Sequence, residues 1–206
     1  MKPRELLNQK WGYPDFRLNQ LEIIESILDG NDCVALLPTG GGKSICYQIP
    51  GLMQDGLTLV ISPLISLMHD QIKEINQLNE KAIALTSGFS KSDLDRELDN
   101  CQNGYYKFLF VSPERLKSKW LRERLSHIKV NLIAIDEAHC ISQWGHDFRP
   151  PYLSINEIRD YVRRVPILAL TATANTQVLK DIKEHLKLNE AQVFTNSFLR
   201  KNIQLN

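Results

Sequence analysis

A run of small residues followed by a lysine and a serine is the first part of this sequence that could do chemistry. Segment 38–44 reads Pro-Thr-Gly-Gly-Gly-Lys-Ser. Glycines allow the backbone to turn tightly with its N–H groups pointing inward, and a following helix would direct its positive N-terminal end to the same point. Such a segment is suited to bind phosphates, with Lys43 reaching the β- and γ-phosphates and the Ser44 hydroxyl binding Mg²⁺. The residues expected to contact the ligand are Thr39, Gly40, Gly41, Gly42, Lys43 and Ser44.

The general phosphate-loop pattern G-x-x-x-x-G-K-[ST] is not met in full, because Leu37 stands where the first glycine should be. A glycine-rich turn that merely precedes a helix is therefore the alternative interpretation. An apolar run before the segment, a helix-like stretch after it and three consecutive glycines favour phosphate binding.

Two adjacent carboxylates form the second candidate. Asp136 and Glu137 directly follow the apolar run 132–135, and charged groups are costly to bury beside a strand without a compensating role. Asp136 is suited to hold the Mg²⁺ bound to Ser44, while Glu137 can orient or deprotonate an attacking water. The alternative is an acidic cap on the next helix. Since a phosphate-binding segment precedes the pair, the metal site is favoured, and Lys43, Asp136 and Glu137 are the predicted catalytic residues.

These clusters require a scaffold that brings them together, and the apolar runs predict one. The runs are nearly continuous rather than alternating, which is typical of strands covered on both faces. They lie at 33–37, 58–61, 82–85, 108–111, 132–135 and 167–170. Stretches with helical periodicity separate most of them, at 64–79, 91–101, 115–126, 153–164 and 177–186.

Alternation of strands and helices predicts an α/β domain with a mainly parallel sheet and helices on both faces. In such a sheet, ligands bind beyond the carboxyl ends of the strands, where both candidate clusters fall. Ser62, Ser112 and Thr171 also follow predicted strands. Their hydroxyls could hold a nucleic-acid backbone, although each alone could equally be a helix N-cap. Without repeats or linkers, residues 1–206 are expected to form one domain.

Composition bears on the partners, the metal content and the cellular compartment of the protein. A net charge of +1 neither requires nor excludes a nucleic-acid partner. No apolar run has the length of a signal peptide core or a membrane span, so no membrane partner is expected. The four cysteines include no closely spaced pair, which argues against zinc and favours reduced thiols in an intracellular protein.

With these residues in view, the chain resembles the RecQ family of superfamily-two DNA helicases. Segment 38–44 is similar to the helicase form of the Walker A loop, in which the first glycine is often absent, and 136–139 to the D-E-x-H box. Segments 62–71 and 170–174 are similar to a strand-contacting motif and a coupling motif. Phe16, Arg17 and Gln20 match the family's adenine-recognition segment.

The resemblance implies residue roles outside the two clusters. Gln20 would bond the edge of adenine, with Tyr13 and Arg17 packed near the ring. Segment 140–150, CISQWGHDFRP, is similar to the aromatic-rich loop that links single-stranded DNA to ATP hydrolysis. Trp144 and Phe148 could stack on bases, although two buried core aromatics are the alternative. The expected DNA-coupling residues are Gln143, Trp144, His146, Phe148, Arg149, Thr171 and Thr173.

The resemblance further implies an ATP- and Mg²⁺-dependent 3′–5′ DNA helicase that acts on single-stranded and duplex DNA in repair and recombination. In this family a second RecA-like lobe supplies an arginine finger, which is worth roughly 10³–10⁵ in rate. We therefore expect residues 1–206 to be the first, N-terminal lobe and nearly inactive when isolated. The second lobe and later domains would lie outside this chain. A bacterial cytoplasmic, nucleoid-associated location is preferred, and a nuclear one is expected if the source is eukaryotic.

The sequence shows one departure from the family pattern and is compatible with three rival functions. The family commonly has proline where Lys201 stands in segment 198–202. An RNA helicase, a P-loop NTPase that does not bind nucleic acid, and a non-catalytic binding module are the competing functions. The usual RNA helicase box ends in Asp where His139 stands, and its coupling motif begins with serine where Thr171 stands. The basic stretch 115–124 could face DNA, although a solvated helix face is the simpler interpretation.

Overall fold

All six apolar runs form strands of one sheet in a computed structural model, which describes residues 1–162 and 165–195. The sheet has seven strands, every pair of neighbours is parallel, and the order is β3-β4-β2-β5-β6-β1-β7. The strands are β1 Cys33–Leu36, β2 Leu57–Ile61, β3 Ala82–Leu85, β4 Phe108–Val111, β5 Val130–Ile135, β6 Ile167–Thr171 and β7 Gln192–Thr195. The predicted α/β class with a parallel sheet is confirmed.

Strand β7 was not expected from the sequence. It pairs with β1 at the edge of the sheet, and most of its residues are exposed. An edge strand with little burial needs no continuous apolar run, so the sequence carries no strong signal for it.

The helices cover both faces of the sheet. They are α1 Pro3–Trp11, α2 Gln20–Leu28, α3 Ile45–Met53, α4 Ile65–Gln77, α5 Lys91–Gln102, α6 Pro113–Leu116, α7 Lys119–Leu125 and α8 Thr176–His185, with 3₁₀ helices at Ala138–Ile141 and Pro150–Asp160. Two buried clusters of apolar side chains, one on each face, use alternate residues of the same strands. Val34 belongs to one cluster and Ala35 to the other, as expected for a strand covered on both sides.

Two predicted helices differ from the structure. The stretch 115–126 is split into α6 and α7, because the Ser118 hydroxyl accepts a hydrogen bond from Leu121 N and so begins a new helix. The stretch 153–164 is a 3₁₀ helix as far as Asp160, and residues 163 and 164 lie outside the described part. Its buried Tyr152, Ile155 and Ile158 recur every three residues, which matches the 3₁₀ period.

The basic stretch 115–124 supplies bonds within the protein. Arg115 donates to the carbonyl of Leu85, Arg122 pairs with Glu157, and Arg124 pairs with a carboxylate of α5. These arginines tie α6 and α7 to neighbouring elements, so the possible DNA-facing stripe loses most of its free charge. Segment 198–202, which includes Lys201, lies outside the described residues.

Helix α3 is held close to the sheet by Gly51. A Cβ atom at this position would lie 2.3 Å from Thr58 Oγ1 on β2 and 3.0 Å from Phe108 Cε1 on β4. Since both neighbours are completely buried, they have little room to move. Helix α3 follows the phosphate-loop segment directly, and its seat on the sheet therefore sets where that segment stands.

We predict that Gly51→Ala lowers the free energy of unfolding by about 1–3 kcal/mol, as overpacking of a filled core does. Urea unfolding followed by circular dichroism measures the change. Gly88→Ala is the matched control, because a Cβ there meets nothing within 4 Å. Equal stability of the two variants would contradict the close seating of α3.

Candidate active site

The topology brings the two predicted clusters to one edge of the sheet. Strand β6 lies between β1 and β5, so the segments that leave β1 and β5 flank the end of β6. Backbone bonds fix both exits: Leu37 N donates to Thr171 O at 3.0 Å, and Asp136 N donates to Ile61 O at 2.8 Å. Leu37 is completely buried, so the residue that replaces the expected glycine serves the core.

Lys43 meets both carboxylates. Its Nζ lies 2.9 Å from Glu137 Oε1 and 3.9 Å from Asp136 Oδ1. The Asp136 side chain is nearly buried, and burial raises the pKa of its carboxyl; Lys43 lowers that pKa in part, while the Glu137 charge raises it further. The site therefore holds an ammonium group and two carboxylates within reach of one another, as the sequence predicted it would.

Glu137 adopts a backbone conformation that is uncommon for a residue other than glycine, with φ +48° and ψ +44°. Its N–H donates to Asp136 Oδ1 at 3.0 Å. The carbonyl of Asp136 accepts a hydrogen bond from the hydroxyl of Tyr152 at 2.9 Å, and Tyr152 is completely buried. This turn directs the Glu137 carboxylate back to Lys43. Tyr152 was not among the predicted site residues, because nothing in its sequence context marks it.

A polar network leads from Glu137 to the end of β6. His139 Nδ1 lies 3.3 Å from Glu137 Oε2 and 3.0 Å from Thr171 Oγ1. Since the Thr171 hydroxyl donates its hydrogen to Thr173 O at 2.9 Å, His139 Nδ1–H is the donor to Thr171. Burial lowers the pKa of His139 below 6.5, an effect that Glu137 opposes and Lys43 reinforces. Burial therefore favours the neutral imidazole.

The glycines of segment 38–44 form a loop that larger residues could not adopt. A Cβ on Gly41 would lie 2.8 Å from Pro38 O, and one on Gly42, whose φ is +70°, would lie 2.6 Å from Gln20 Nε2. In the part of the chain that the structure describes, the N–H groups of Gly42, Lys43 and Ser44 donate no hydrogen bond. Free N–H groups at the start of a nine-residue helix attract an anion, so the loop fits a phosphate group.

A cavity of about 390 Å³ opens beside this loop. Tyr13 and Arg17 line it together with Gly40 and Ser44, and the Arg17 guanidinium lies 5.6 Å from the centre of the Tyr13 ring. The structure thus brings the predicted adenine-recognition segment next to the phosphate loop.

Gln20, which we expected to bond the edge of adenine, is hydrogen-bonded within the protein. Its amide is buried and bonded within the protein: Nε2 donates to Gly41 O and Gly42 O, both at 3.0 Å, and Oε1 accepts from Arg17 N at 2.8 Å. Both Nε2 hydrogens are engaged, so donation to a base would require an exchange of partners, whereas Oε1 has a second lone pair with which to accept from a base.

The aromatic-rich segment lies beyond the end of β5 as an exposed loop. Trp144 is 72% exposed, Gln143 and His146 are exposed, and Phe148 is half-buried. The core interpretation of Trp144 is therefore wrong. The loop folds back against the domain where Arg149 donates to Cys140 O at 2.8 Å through its N–H and to Pro63 O at 3.2 Å through its side chain.

Three further observations concern metals, membranes and thiols among the described residues. Residues 1–162 and 165–195 contain no group of three or more His, Cys, Asp or Glu side chains arranged to hold a metal. Within the same ranges no helix is both long and apolar enough to cross a membrane. All four cysteines are buried and free.

The sequence model of the DEAD/DEAH box helicases matches residues 17–182. The chain belongs to this family. Among solved helicases, the helicase domain of Pyrococcus furiosus Hef superimposes with a TM-score of 0.64 at 21% identity, over 86% of this chain and 37% of that one. MrfA bound to DNA and AMPPNP gives a TM-score of 0.73 at 19% identity, over 95% of this chain and 29% of that one. At such identities the likeness shows the helicase fold.

Sequence relatives narrow the position of this helicase domain within the family. It is 46% identical over 99% of its length to the "Probable ATP-dependent DNA helicase RecS" of Bacillus subtilis and 44% identical over 97% to the "ATP-dependent DNA helicase RecQ" of Pasteurella multocida. The resemblance to RecQ helicases is thereby confirmed. The domain covers 41% and 32% of those two proteins, so it spans about a third to two fifths of their length.

We predict that Asp136→Asn stabilises this helicase domain against unfolding at pH 7 in EDTA. Burial raises the pKa of the Asp136 carboxyl, so the folded state binds that proton more tightly than the unfolded state. The native protein therefore loses stability as the pH rises from 3.8 through the raised pKa of the folded state. Asparagine carries no such penalty.

Thermal unfolding between pH 3.5 and 7.5 tests this prediction. The advantage of Asp136→Asn should grow as the pH rises. Asp70→Asn is the control, because the Asp70 side chain is 65% exposed and its removal should change stability little. A variant less stable than the native protein at pH 7 would contradict the prediction.

Proposed function

We propose that this chain is the ATP-binding, N-terminal RecA-like lobe of a RecQ-type DNA helicase. The observation that carries the proposal is the meeting of Lys43 with Glu137 and Asp136 at the carboxyl edge of a parallel sheet, across 94 positions of sequence. Phosphoryl-transfer enzymes need a cationic group, a metal-binding carboxylate and a water-orienting carboxylate at one point. Lys43 and the two carboxylates at this edge fit those three roles.

ATP and Mg²⁺ are the ligands that the chemistry of these groups fits. The free N–H groups of segment 42–44 and the Lys43 ammonium suit the phosphates, while Tyr13 and Arg17 suit the base. Ser44 and Asp136 would bind Mg²⁺, which neutralises phosphate charge when bound. Once a triphosphate draws Lys43 away, Glu137 becomes free to orient or deprotonate a water.

Single-stranded DNA is the proposed substrate of the exposed loop. Trp144 offers an accessible face for a base, and Phe148 lies four residues away. The Arg149 guanidinium pairs with Asp147 Oδ2 at 3.0 Å, so a DNA phosphate would have to replace that carboxylate as its partner. By likeness to RecQ proteins we propose movement 3′ to 5′ on DNA during repair and recombination. In a bacterium this would occur at the nucleoid and in a eukaryote in the nucleus.

A second RecA-like lobe is the proposed partner of this one within the full-length protein. Helicases of this type hydrolyse ATP in the cleft between two lobes, and an arginine from the second lobe stabilises the transferred charge. We therefore propose that residues 1–206 alone bind ATP–Mg²⁺ weakly and hydrolyse it slowly. Near-normal DNA-stimulated turnover by this chain alone would refute the need for a second lobe.

The rival functions lose support from the family. A P-loop NTPase without a nucleic-acid substrate would not match the DEAD/DEAH box helicases over residues 17–182. RNA helicases share that family, but the relatives at 41–46% identity are named DNA helicases. His139 and Thr171 also differ from the usual RNA helicase motifs.

We predict that Lys43→Ala lowers the kcat of DNA-stimulated ATP hydrolysis about 10²–10³-fold, because it removes a preorganised cation from the phosphates. Glu137→Gln should retain ATP binding and lose hydrolysis. A coupled ATPase assay and a fluorescent-nucleotide titration on the full-length protein measure both effects. Lys73→Ala, which alters an exposed lysine, is the control, and an active Lys43→Ala variant would sink the proposal.

Trp144→Ala should weaken single-stranded DNA binding about tenfold, as expected for the loss of one stacked base. Affinity for ATP should stay the same, because the loop lies outside the nucleotide cavity. Fluorescence anisotropy with labelled oligonucleotides of DNA and of RNA measures the change. Tyr105→Ala is the control. Tyr105 is 52% exposed and lies just before β4, at the amino-terminal end of that strand and so away from the carboxyl ends that form the site. A preference for RNA would favour the RNA helicase instead.

A further inference from the structure

The exposed part of the aromatic-rich loop follows a buried serine. Ser142 is 0% exposed although it directly precedes the exposed residues Gln143 and Trp144. Its hydroxyl accepts a hydrogen bond from Trp144 N at 3.1 Å, and its carbonyl accepts one from Gly145 N at 3.0 Å. The backbone around Trp144 therefore folds onto one residue, Ser142, whose side chain accepts one of the two bonds.

That side chain is held by helix α8. The Ser142 hydroxyl donates to Asp181 Oδ2 at 2.5 Å, and Asp181 Oδ1 accepts a hydrogen bond from Gln177 Nε2 at 2.8 Å. A hydrogen bond to a carboxylate is shorter and stronger than one between neutral groups. Since Ser142 has only one hydrogen to donate, Asp181 fixes the orientation in which its oxygen can accept from Trp144 N.

Residues of helix α8 also line the cavities beside Trp144. Cavities of about 380 and 240 Å³ flank the indole. Val178 lines the first cavity, and Asp181 and His185 line the second. Little else confines the side chain, which is 72% exposed. The hydrogen bonds through Ser142 thus restrain the backbone from which the indole extends.

The same helix is tied to the nucleotide site at its other end. Thr171, which accepts from His139, ends β6, and Asn175 caps α8 by accepting from Val178 N at 2.9 Å. Only residues 172–174 lie between them. Polar contacts therefore connect Lys43 through Glu137 and His139 to Thr171, and the backbone of residues 172–174 joins Thr171 to α8. From α8, Asp181 contacts the loop at Ser142.

We propose that Asp181 is a positioning residue for DNA-stimulated ATP hydrolysis: it anchors the aromatic-rich loop to α8 and so presents Trp144 to single-stranded DNA in a preorganised state. This rests on the proposed function. Asp181 contacts neither the phosphate loop nor the acid pair, so it acts through Ser142 and Trp144. Without the anchor, the loop must be ordered at the moment of binding, which lowers affinity.

Substitution of Asp181 separates anchoring from charge. Removal of a negative charge near a DNA-binding loop should by itself tighten DNA binding, whereas loss of an anchor should weaken it. For Asp181→Ala in the full-length protein we expect the single-stranded DNA concentration for half-maximal ATPase stimulation to rise about tenfold. The DNA-free ATPase rate and the KM for ATP should stay within about twofold. Asp181→Asn, which keeps an acceptor for Ser142, should restore most of the response.

Two further variants test whether Asp181 acts through its hydrogen bond to Ser142. Gln177→Ala removes the other hydrogen bond of Asp181 on the exposed side of α8 and should stay within about twofold of the native protein in every parameter. Ser142→Ala should reproduce the defect of Asp181→Ala, and the double variant should be no worse than either single one if one hydrogen bond carries the effect. Thermal unfolding of each variant identifies any that fails to fold. If Asp181→Ala fails to fold, the DNA response of Asp181→Asn is compared with that of the native protein instead.

The outcomes are separable. A native protein whose ATPase does not respond to DNA would overturn the proposed function. If the native protein responds, the anchoring role is overturned by an Asp181→Ala variant that needs the same or less DNA. It is equally overturned by a fall in DNA-free ATPase as large as the fall in DNA response, or by strictly additive effects of the Ser142 and Asp181 substitutions.

Discussion

The Lys43 ammonium group lies between the carboxylates of Asp136 and Glu137, and the rest of the site depends on that contact. Asp136 is buried enough that its charge is disfavoured, and Glu137 adopts a left-handed backbone conformation. Neither feature would persist without compensation. Lys43 supplies part of the compensation electrostatically, and the Tyr152 hydroxyl helps by bonding the carbonyl between the two acids.

The contact also connects the proposed phosphate site to residues farther along the polar network. Glu137 bonds Lys43 through one carboxylate oxygen and lies within 3.3 Å of His139 through the other. Burial favours the neutral form of His139, in which Nδ1–H can donate to Thr171 without adding a second positive charge near Lys43. A ligand that engages Lys43 would alter the partner of Glu137, and the next residues in the network lead to α8 and the exposed loop.

Prediction from the sequence succeeded where a physical signal is local. Continuous apolar runs identified six strands, since strands covered on both faces consist mostly of apolar residues. It failed where the decisive contact is distant or weakly patterned. The exposed strand β7, the capped break at Ser118 and the 3₁₀ spacing of Tyr152, Ile155 and Ile158 each follow from details that an average helical or strand period does not contain.

The amino-acid sequence by itself determined the parallel α/β class, the phosphate-loop segment and the acid pair, because strand periodicity and glycine content act over a few neighbouring residues. Only the tertiary structure decided which groups meet. Lys43 reaches Glu137 across 94 positions because β6 lies between β1 and β5. Gln20 turns its amide to the glycine loop, and Ser142 finds Asp181 39 positions away. Strand order and helix packing are properties of the whole chain, so no local pattern could have specified these contacts.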